Sequence, residues 1–373
     1  MGESDRAQLD RGVDVAEAED VADVRAPEAR VGAPADLAAD ADPGARSLID
    51  SPGHEMWSRR GLFAMAAGAA VVTACAPEQP GTVADDGSVT VAHAFGETRI
   101  PAPPTRVVSA GLTDADDLLA LGVVPVAVTD WFGNEPFGVW PWAQPRLGGA
   151  QPVVLSLADG VQVDQIAGLR PDLIVATDAG LDEDTYRRLT EIAPTLPQSG
   201  SAAFFEPWRD QATAIGQAVF RRDDMAALIT GVEARFTQVK EANPQFSDAS
   251  ALLLDGRLTR GAVRVTGPPW RREFLTQMGL TLADPADPAE PLIPRDRITE
   301  VLDSADVLIW TTESPEEQGA LLADPVIAAL SATRRERHVF TDKELAGAIA
   351  YASTLSWPVV ADRLPPMIAT ALN

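Results

Sequence analysis

Along most of the chain, short apolar runs alternate with stretches whose apolar residues recur at helical spacing. The first regular unit follows Pro103-Pro104. Arg106-Val107-Val108-Ser109 reads as a strand, and Thr113-Asp114-Ala115-Asp116 as a helix N-cap with an acid three residues on. Leu118, Leu119 and Leu121 give that helix an apolar face, and Gly122 stops it. Residues 123–128 form a second strand, 165–169 a short helix, 172–176 a strand, 182–192 a helix, and Thr195-Leu196 a strand end. From 208 to 243 the apolar positions Ala214, Ile215, Ala218, Val219, Leu228, Ile229, Val232 and Phe236 keep helical spacing. One long helix is predicted there, weakened slightly by Gly216 and Gly231 and ending near Pro244. A second set follows: a strand at 251–254, a helix at 271–278, elements at 297–302, 306–311, 323–330 and 338–340, and a last helix at 358–372. "PDLIVATDAG" at 171–180 and "ADVLIWTTES" at 305–314 share one pattern, a short helix running into Asp, an apolar strand and a polar loop. The expected fold is α/β, with two similar lobes (104–207 and 245–373) joined by one long helix over 208–244.

The first 103 residues obey other rules. Residues 61–74 are an uncharged apolar run of 14, too short for a membrane span of about 20 and within the range of a signal core. Arg59-Arg60 before it resembles a twin-arginine export signal. Val72-Thr73-Ala74-Cys75 resembles a lipobox, with Cys75 as the lipid anchor. A buried apolar helix with an incidental cysteine is the plainer alternative. Residues 1–55 hold 14 Asp or Glu against 5 Lys or Arg and almost no aromatics, a composition expected to stay disordered. Met56 directly precedes the signal, so translation is expected to begin there; a real cytosolic extension is the alternative. Residues 76–103 read as a tether with a small hairpin.

Net charge is −25, with about −16 after residue 55, which argues against nucleic-acid binding. With Cys75 the sole cysteine, no internal disulfide forms, and His54, His93 and His338 are too few and scattered for a His-rich metal site. No nucleophile elbow, dinucleotide fingerprint, Walker loop, zincin motif or Cys-x-x-Cys is present, although abundant acids leave a carboxylate dyad open. In parallel α/β folds ligands sit beyond the carboxyl ends of the strands. That selects the loops around Thr113, 130–142, 177–181 and 310–313. The second reads "WFGNEPFGVWPW", five aromatics in twelve residues: Trp131, Phe132, Phe137, Trp140 and Trp142. Such rings suit the walls of a site for a large apolar chelate, or else anchor a long loop. Guanidinium groups would pair with an anionic chelate. Arg146 and Arg264 are the candidates, ahead of Arg271 and Arg272 beside Trp270.

"PTRVVSAGLTDADDLLALGVVPVAVTDW", "VDQIAGLRPDLIVATDAG", "ITEVLDSADVLIWTTESP" and "AGAIAYASTLSWPVVADRLPPMI" together resemble the substrate-binding proteins of ABC importers for ferric siderophores, haem and cobalamin. The nearest likeness is to FecB-like iron-binding lipoproteins of actinobacteria. The resemblance covers roughly 104–373. It implies two Rossmann-like lobes on one rigid helix (a class III periplasmic binding protein), with a ligand cleft between them and no catalysis. It implies no intrinsic cofactor and a ferric siderophore or haem as ligand. Its partners would be an ABC permease with its ATPase, and the protein a monomer held by lipid at the outer face of the cytoplasmic membrane. Trp310 joins the candidate ligand residues from its loop. Tyr351, placed in a loop, is the candidate axial ligand were the ligand haem. The resemblance carries permease docking onto Asp164 in the N-lobe, and onto Asp296 or Glu300 in the C-lobe, where the matching position is Ile298. Helix N-terminal carboxylates favoured by the dipole are the plainer account of these acids. An exported enzyme of unknown reaction, or a haem or siderophore store or sensor without a transporter, remains the alternative.

Overall fold

The computed structural model describes residues 81–283 and 291–373. Arg59, Arg60, Cys75 and the acidic extension lie outside them. Strands β1 (Val89–His93) and β2 (Gly96–Ile100) form an antiparallel hairpin. The first lobe continues with β3 (Val107–Ser109), α1 (Asp114–Ala120), β4 (Ala127–Asp130), β5 (Val153–Ser156), α2 (Val163–Leu169), β6 (Leu173–Ala176), α3 (Glu183–Thr190) and β7 (Thr195–Pro197). Its five strands are all parallel, in the order β5-β4-β3-β6-β7. β3 and β6, in the middle, are buried along their whole length, as a parallel strand covered on both faces must be.

The hairpin is not a tether. Val89, Val91 and Ile100 share a core with Leu118, Leu173 and the next helix, so the N-lobe begins before residue 104. His93, expected in the tether, is buried and within hydrogen-bond distance of Thr98 and Tyr186.

The predicted single helix is two: α4 (Trp208–Ala218) and α5 (Arg222–Ala242). Phe220 stands at φ 61, with its N–H on the Gln217 carbonyl and the Arg221 N–H on the Gly216 carbonyl. That is a Schellman turn, which satisfies the last carbonyls of α4 and redirects the chain. α4 belongs to the N-lobe core, while α5 runs from that core (Met225, Leu228) to the C-lobe core (Val232, Phe236). It is the 21-residue helix between the lobes.

The C-lobe contains β8 (Ser250–Thr259), β9 (Ala262–Val265), α6 (Glu273–Gln277), β10 (Thr281–Leu282), β11 (Leu292–Ile293), α7 (Ile298–Leu302), β12 (Val307–Thr311), α8 (Pro315–Ala323), α9 (Pro325–Ala328), α10 (Ser331–Arg334), β13 (His338–Phe340), α11 (Lys343–Tyr351) and α12 (Ser356–Leu372). The order is β11-β9-β8-β12-β13, with β10 beside the start of β8. β8, β12 and β13 are parallel and β9 is antiparallel, so the two lobes are similar and not identical. α2 leads into β6 and α7 into β12, as the shared sequence pattern implies.

The α4–α5 turn depends on a bare backbone at Gly216. A Cβ there would lie 2.5 Å from the Met225 Cβ, whereas one on exposed Gly231 would meet nothing. Gly216→Ala is therefore expected to cost about 1–3 kcal/mol by overpacking. Gly231→Ala should add about 0.5–1 kcal/mol from helix propensity. Denaturant midpoints of both variants check this; a Gly216→Ala protein as stable as the parent would refute the close contact.

Candidate functional site

The central strands of the N-lobe end side by side, and the segment leaving each one meets the C-lobe. β4 ends at Asp130 and continues into Trp131; β3 continues into Thr113 and α1; β6 continues into Thr177 and Asp178. Opposite stand Trp270 and Arg271 and the end of α11, Tyr351-Ala352. Thr113, Asp178, Phe205, Glu206 and Gln211 from one lobe, with Trp270, Arg271 and Tyr351 from the other, line one crevice. It has no room for a water-sized sphere, because aromatic rings fill it.

Trp131 is the central ring. Its centroid lies 4.7 Å from Phe132, 5.3 Å from Phe205 and 5.8 Å from Tyr351. The Arg271 guanidinium stacks 4.3 Å over Phe205 and 5.6 Å from Trp131, crossing between lobes. Trp140 is fully buried, stacked on Trp142 at 5.0 Å and wedged against Gly133 and Gly347, where a Cβ would collide with its ring. It therefore anchors the aromatic loop. Phe137 packs with Val139 and Leu147 of the N-lobe and with Leu355.

Three sets of polar contacts tie the lobes beside this crevice. The Ser353 hydroxyl donates to Asp116 Oδ2 at 2.5 Å, and the Thr354 hydroxyl and N–H donate to Asp117 Oδ1 at 2.6 and 3.2 Å. Lys343 Nζ donates to the Gly133 carbonyl at 2.6 Å and to Glu135 at 2.7 Å. Trp270 Nε1 donates to the Phe205 carbonyl at 2.9 Å. The acids that the sequence pattern offers as helix-capping groups are thus buried structural acceptors. Asp116 also takes the Trp142 indole N–H at 2.8 Å, and Asp114 takes the Thr177 hydroxyl and the Gly111 N–H. The Thr113 hydroxyl, instead of capping α1, donates to Asp178 at 3.2 Å and accepts from Gln211 at 3.0 Å.

The structure thus gathers Thr113, Trp131, Phe132, Trp140, Trp142 and Tyr351, and displaces others. Tyr351 is the last residue of α11, not a loop residue, and its buried hydroxyl has no hydrogen-bond partner. Trp310 is a fully buried core residue whose indole donates to His338, with no surface to offer a ligand. Arg146 is exposed and donates to the Ala120 carbonyl at the C-terminal end of α1, whereas the crevice lies at its N-terminal end. Arg264 lies on β9, 3.7 Å from Asp255. Sequence reasoning places Arg271 below these, yet it is the buried crevice cation; its signal is Trp270 beside it. Phe205 and Glu206 carry no signal. Asp164, Asp296 and Glu300 are exposed at or just before the N-termini of α2 and α7. Both helices run back along their sheets, which places these termini toward the strands' carboxyl ends. Among the described residues no cluster of three or more His, Cys, Asp or Glu could hold a metal ion, and no helix is long and apolar enough to cross a membrane.

Burial raises the carboxyls of Asp114 and Asp116 to about 7, Asp117 to about 6 and Glu206 to about 7, their hydrogen bonds offsetting only part of the desolvation. Arg271 is lowered to about 10 by burial, with Asp178 and Asp255 opposing. The folded protein consequently holds more protons than the unfolded chain between the ordinary carboxylate range and pH 7. Stability should therefore fall as pH rises through about 4 to 7. His338 and His93, both lowered by burial, oppose this below pH 6.5. Thermal melts should show a higher Tm at pH 6.5 than at pH 8; a Tm that is flat or rises over that step contradicts the burial of these acids.

A protein-family profile described as "Periplasmic binding protein" matches residues 107–345. The chain is 27% identical over 222 residues to YhfQ of Bacillus subtilis (strain 168), spanning 57% of this chain and 64% of that one. It is 28% identical over 221 residues to the Fe(3+) dicitrate-binding periplasmic protein FecB of Escherichia coli (strain K12), spanning 58% and 68%. The crystal structure of a periplasmic solute binding protein from Mycobacterium smegmatis str. MC2 155 is 66% identical and covers 78% of this chain and 100% of its own, with a TM-score of 0.75. Streptococcus pneumoniae TIGR4 PiaA in complex with ferrichrome shares the fold at 22% identity and a TM-score of 0.61, covering 76% and 98%. With the profile spanning both lobes and the helix between them, the chain belongs to the periplasmic binding protein family.

Proposed function

We propose that this chain captures a ferric chelate at the outer face of the cytoplasmic membrane and delivers it to an ABC permease. The observation that carries this reading is the interlobe crevice, where Trp131, Phe132, Phe205 and Tyr351 meet the Arg271 guanidinium. Flat rings give apolar area at low entropy cost, and a few polar groups orient the bound molecule. The FecB relative and the PiaA complex, whose names concern ferric dicitrate and ferrichrome, support an iron chelate as cargo. A closed crevice requires Trp131 and Phe205 to part when the chelate enters.

The exposed acids Asp164, Asp296 and Glu300 are the proposed docking points for permease and ATPase, and Cys75 the lipid anchor of a monomer. Siderophore is favoured over haem by the state of Tyr351. Burial and the carboxyls of Asp116, Asp130 and Asp178 hold its phenol far above the ordinary range. That opposes the phenolate an axial ligand would supply.

Titrating the full chain with ferric siderophores, ferric citrate and haem, while following Trp fluorescence, tests this. Saturable quenching is expected with at least one ferric chelate, weakened by roughly tenfold or more in Trp131→Ala, as for a central aromatic anchor. Haem absorbance should be unchanged by Tyr351→Phe. No saturable response to any chelate would remove the import reading.

A further inference from the structure

The charges around the crevice bear on which iron chelates it admits, a question that rests on the chelate-binding reading above. The cations are already matched. Arg271 sits in the field of Asp178 and Asp255, and Arg264 lies 3.7 Å from Asp255. Lys343 pairs with Glu135 at 2.7 Å and Arg209 with Glu233 at 2.6 Å. Arg272, buried beside Arg271, is also engaged. The carboxyls exceed them: Asp178 and Glu206 line the crevice, and Asp114, Asp116 and Asp117 are buried close by. Asp255 and Glu135 are already shared with Arg264 and Lys343. The expectation that arginines await an anionic chelate therefore fails on their existing partners.

A second observation concerns unsatisfied groups. Glu206 is 2% exposed. Its Oε2 accepts from the Ser199 N–H at 2.8 Å and from the Ser199 hydroxyl, while Oε1 is buried with no partner. A carboxylate oxygen left unpaired at the wall of a binding crevice is costly until a donor reaches it. A ligand ammonium or N–H would supply that donor with a charge-assisted bond. A polyanion would instead be desolvated beside Asp178 and Glu206 with no spare cation to receive it. The chain's net charge of −25 adds repulsion on approach.

We infer that the crevice selects ferric chelates of neutral or positive net charge, with a ligand ammonium or N–H donating to Glu206 Oε1. Hydroxamates fit this class. Each gives up one proton, so a filled coordination shell neutralises the ferric ion. Catecholates, each giving up two, and citrate leave polyanions.

Calorimetric titration of the full chain with ferrioxamine B (cationic), ferrichrome (neutral) and ferric citrate (anionic) tests this. The first two should bind at least roughly tenfold tighter than ferric citrate. Glu206→Gln keeps the shape and should weaken ferrioxamine B by roughly tenfold while leaving ferrichrome within about twofold. The ranking by the unaltered protein decides the charge class even if that variant does not fold. Ferric citrate binding tightest would overturn the inference and leave chelate binding intact. A ferrioxamine B affinity unmoved in folded Glu206→Gln would overturn the role of Glu206. No heat with any chelate would remove both readings.

Discussion

The two carboxylates Asp116 and Asp117, accepting from Ser353 and Thr354, hold the relation between the lobes. They sit in the first turn of α1, wholly inside the protein, where an unpaired carboxyl would be expensive. The hydroxyls that meet them come from the bend between α11 and α12, where Ala352 at φ 54 ends one helix and Ser353 and Ser356 bond the start of the next. Removing either side strands a buried polar group, so neither lobe can shift without leaving acids uncompensated. α5, threaded through both cores, makes the second fixed connection.

The crevice lies between these ties, and its mobile parts are rings. Trp131 and Phe205 come from loops, whereas Trp140 is clamped between Gly133 and Gly347 and Tyr351 is fixed at a helix end. With the lobes pinned, the low-cost way to admit a large ligand is to swing those two rings aside. Arg271, stacked on both, would move with them. The same buried acids that hold the lobes give the region its negative bias.

Much of the fold was legible because parallel strands write themselves as uninterrupted apolar runs, such as Leu173–Ala176. The two lobes and the aromatic loop came from that pattern and from the family likeness. Other features were hidden for stated physical reasons. Asp116 looks like a capping acid locally, and its partner Ser353 lies 237 residues away. The α4–α5 turn uses Phe220 in a left-handed conformation, with no glycine or proline there to mark it. Arg146 is near the aromatic loop in sequence, but α1 carries it to the wrong end; Arg271, far away in sequence, arrives from the other lobe. Trp310 fits the strand pattern so well that it is core.

The central claim is that an iron chelate sits between the lobes against Trp131 and Arg271. Crystals grown with ferrichrome and measured at the iron absorption edge test it directly. The account predicts one strong anomalous peak in the interlobe crevice, with the Trp131 and Phe205 rings parted and the Asp116–Ser353 and Asp117–Thr354 contacts intact. An iron peak on the outer surface of either lobe, or one between lobes that have separated at Ser353 and Thr354, would contradict it.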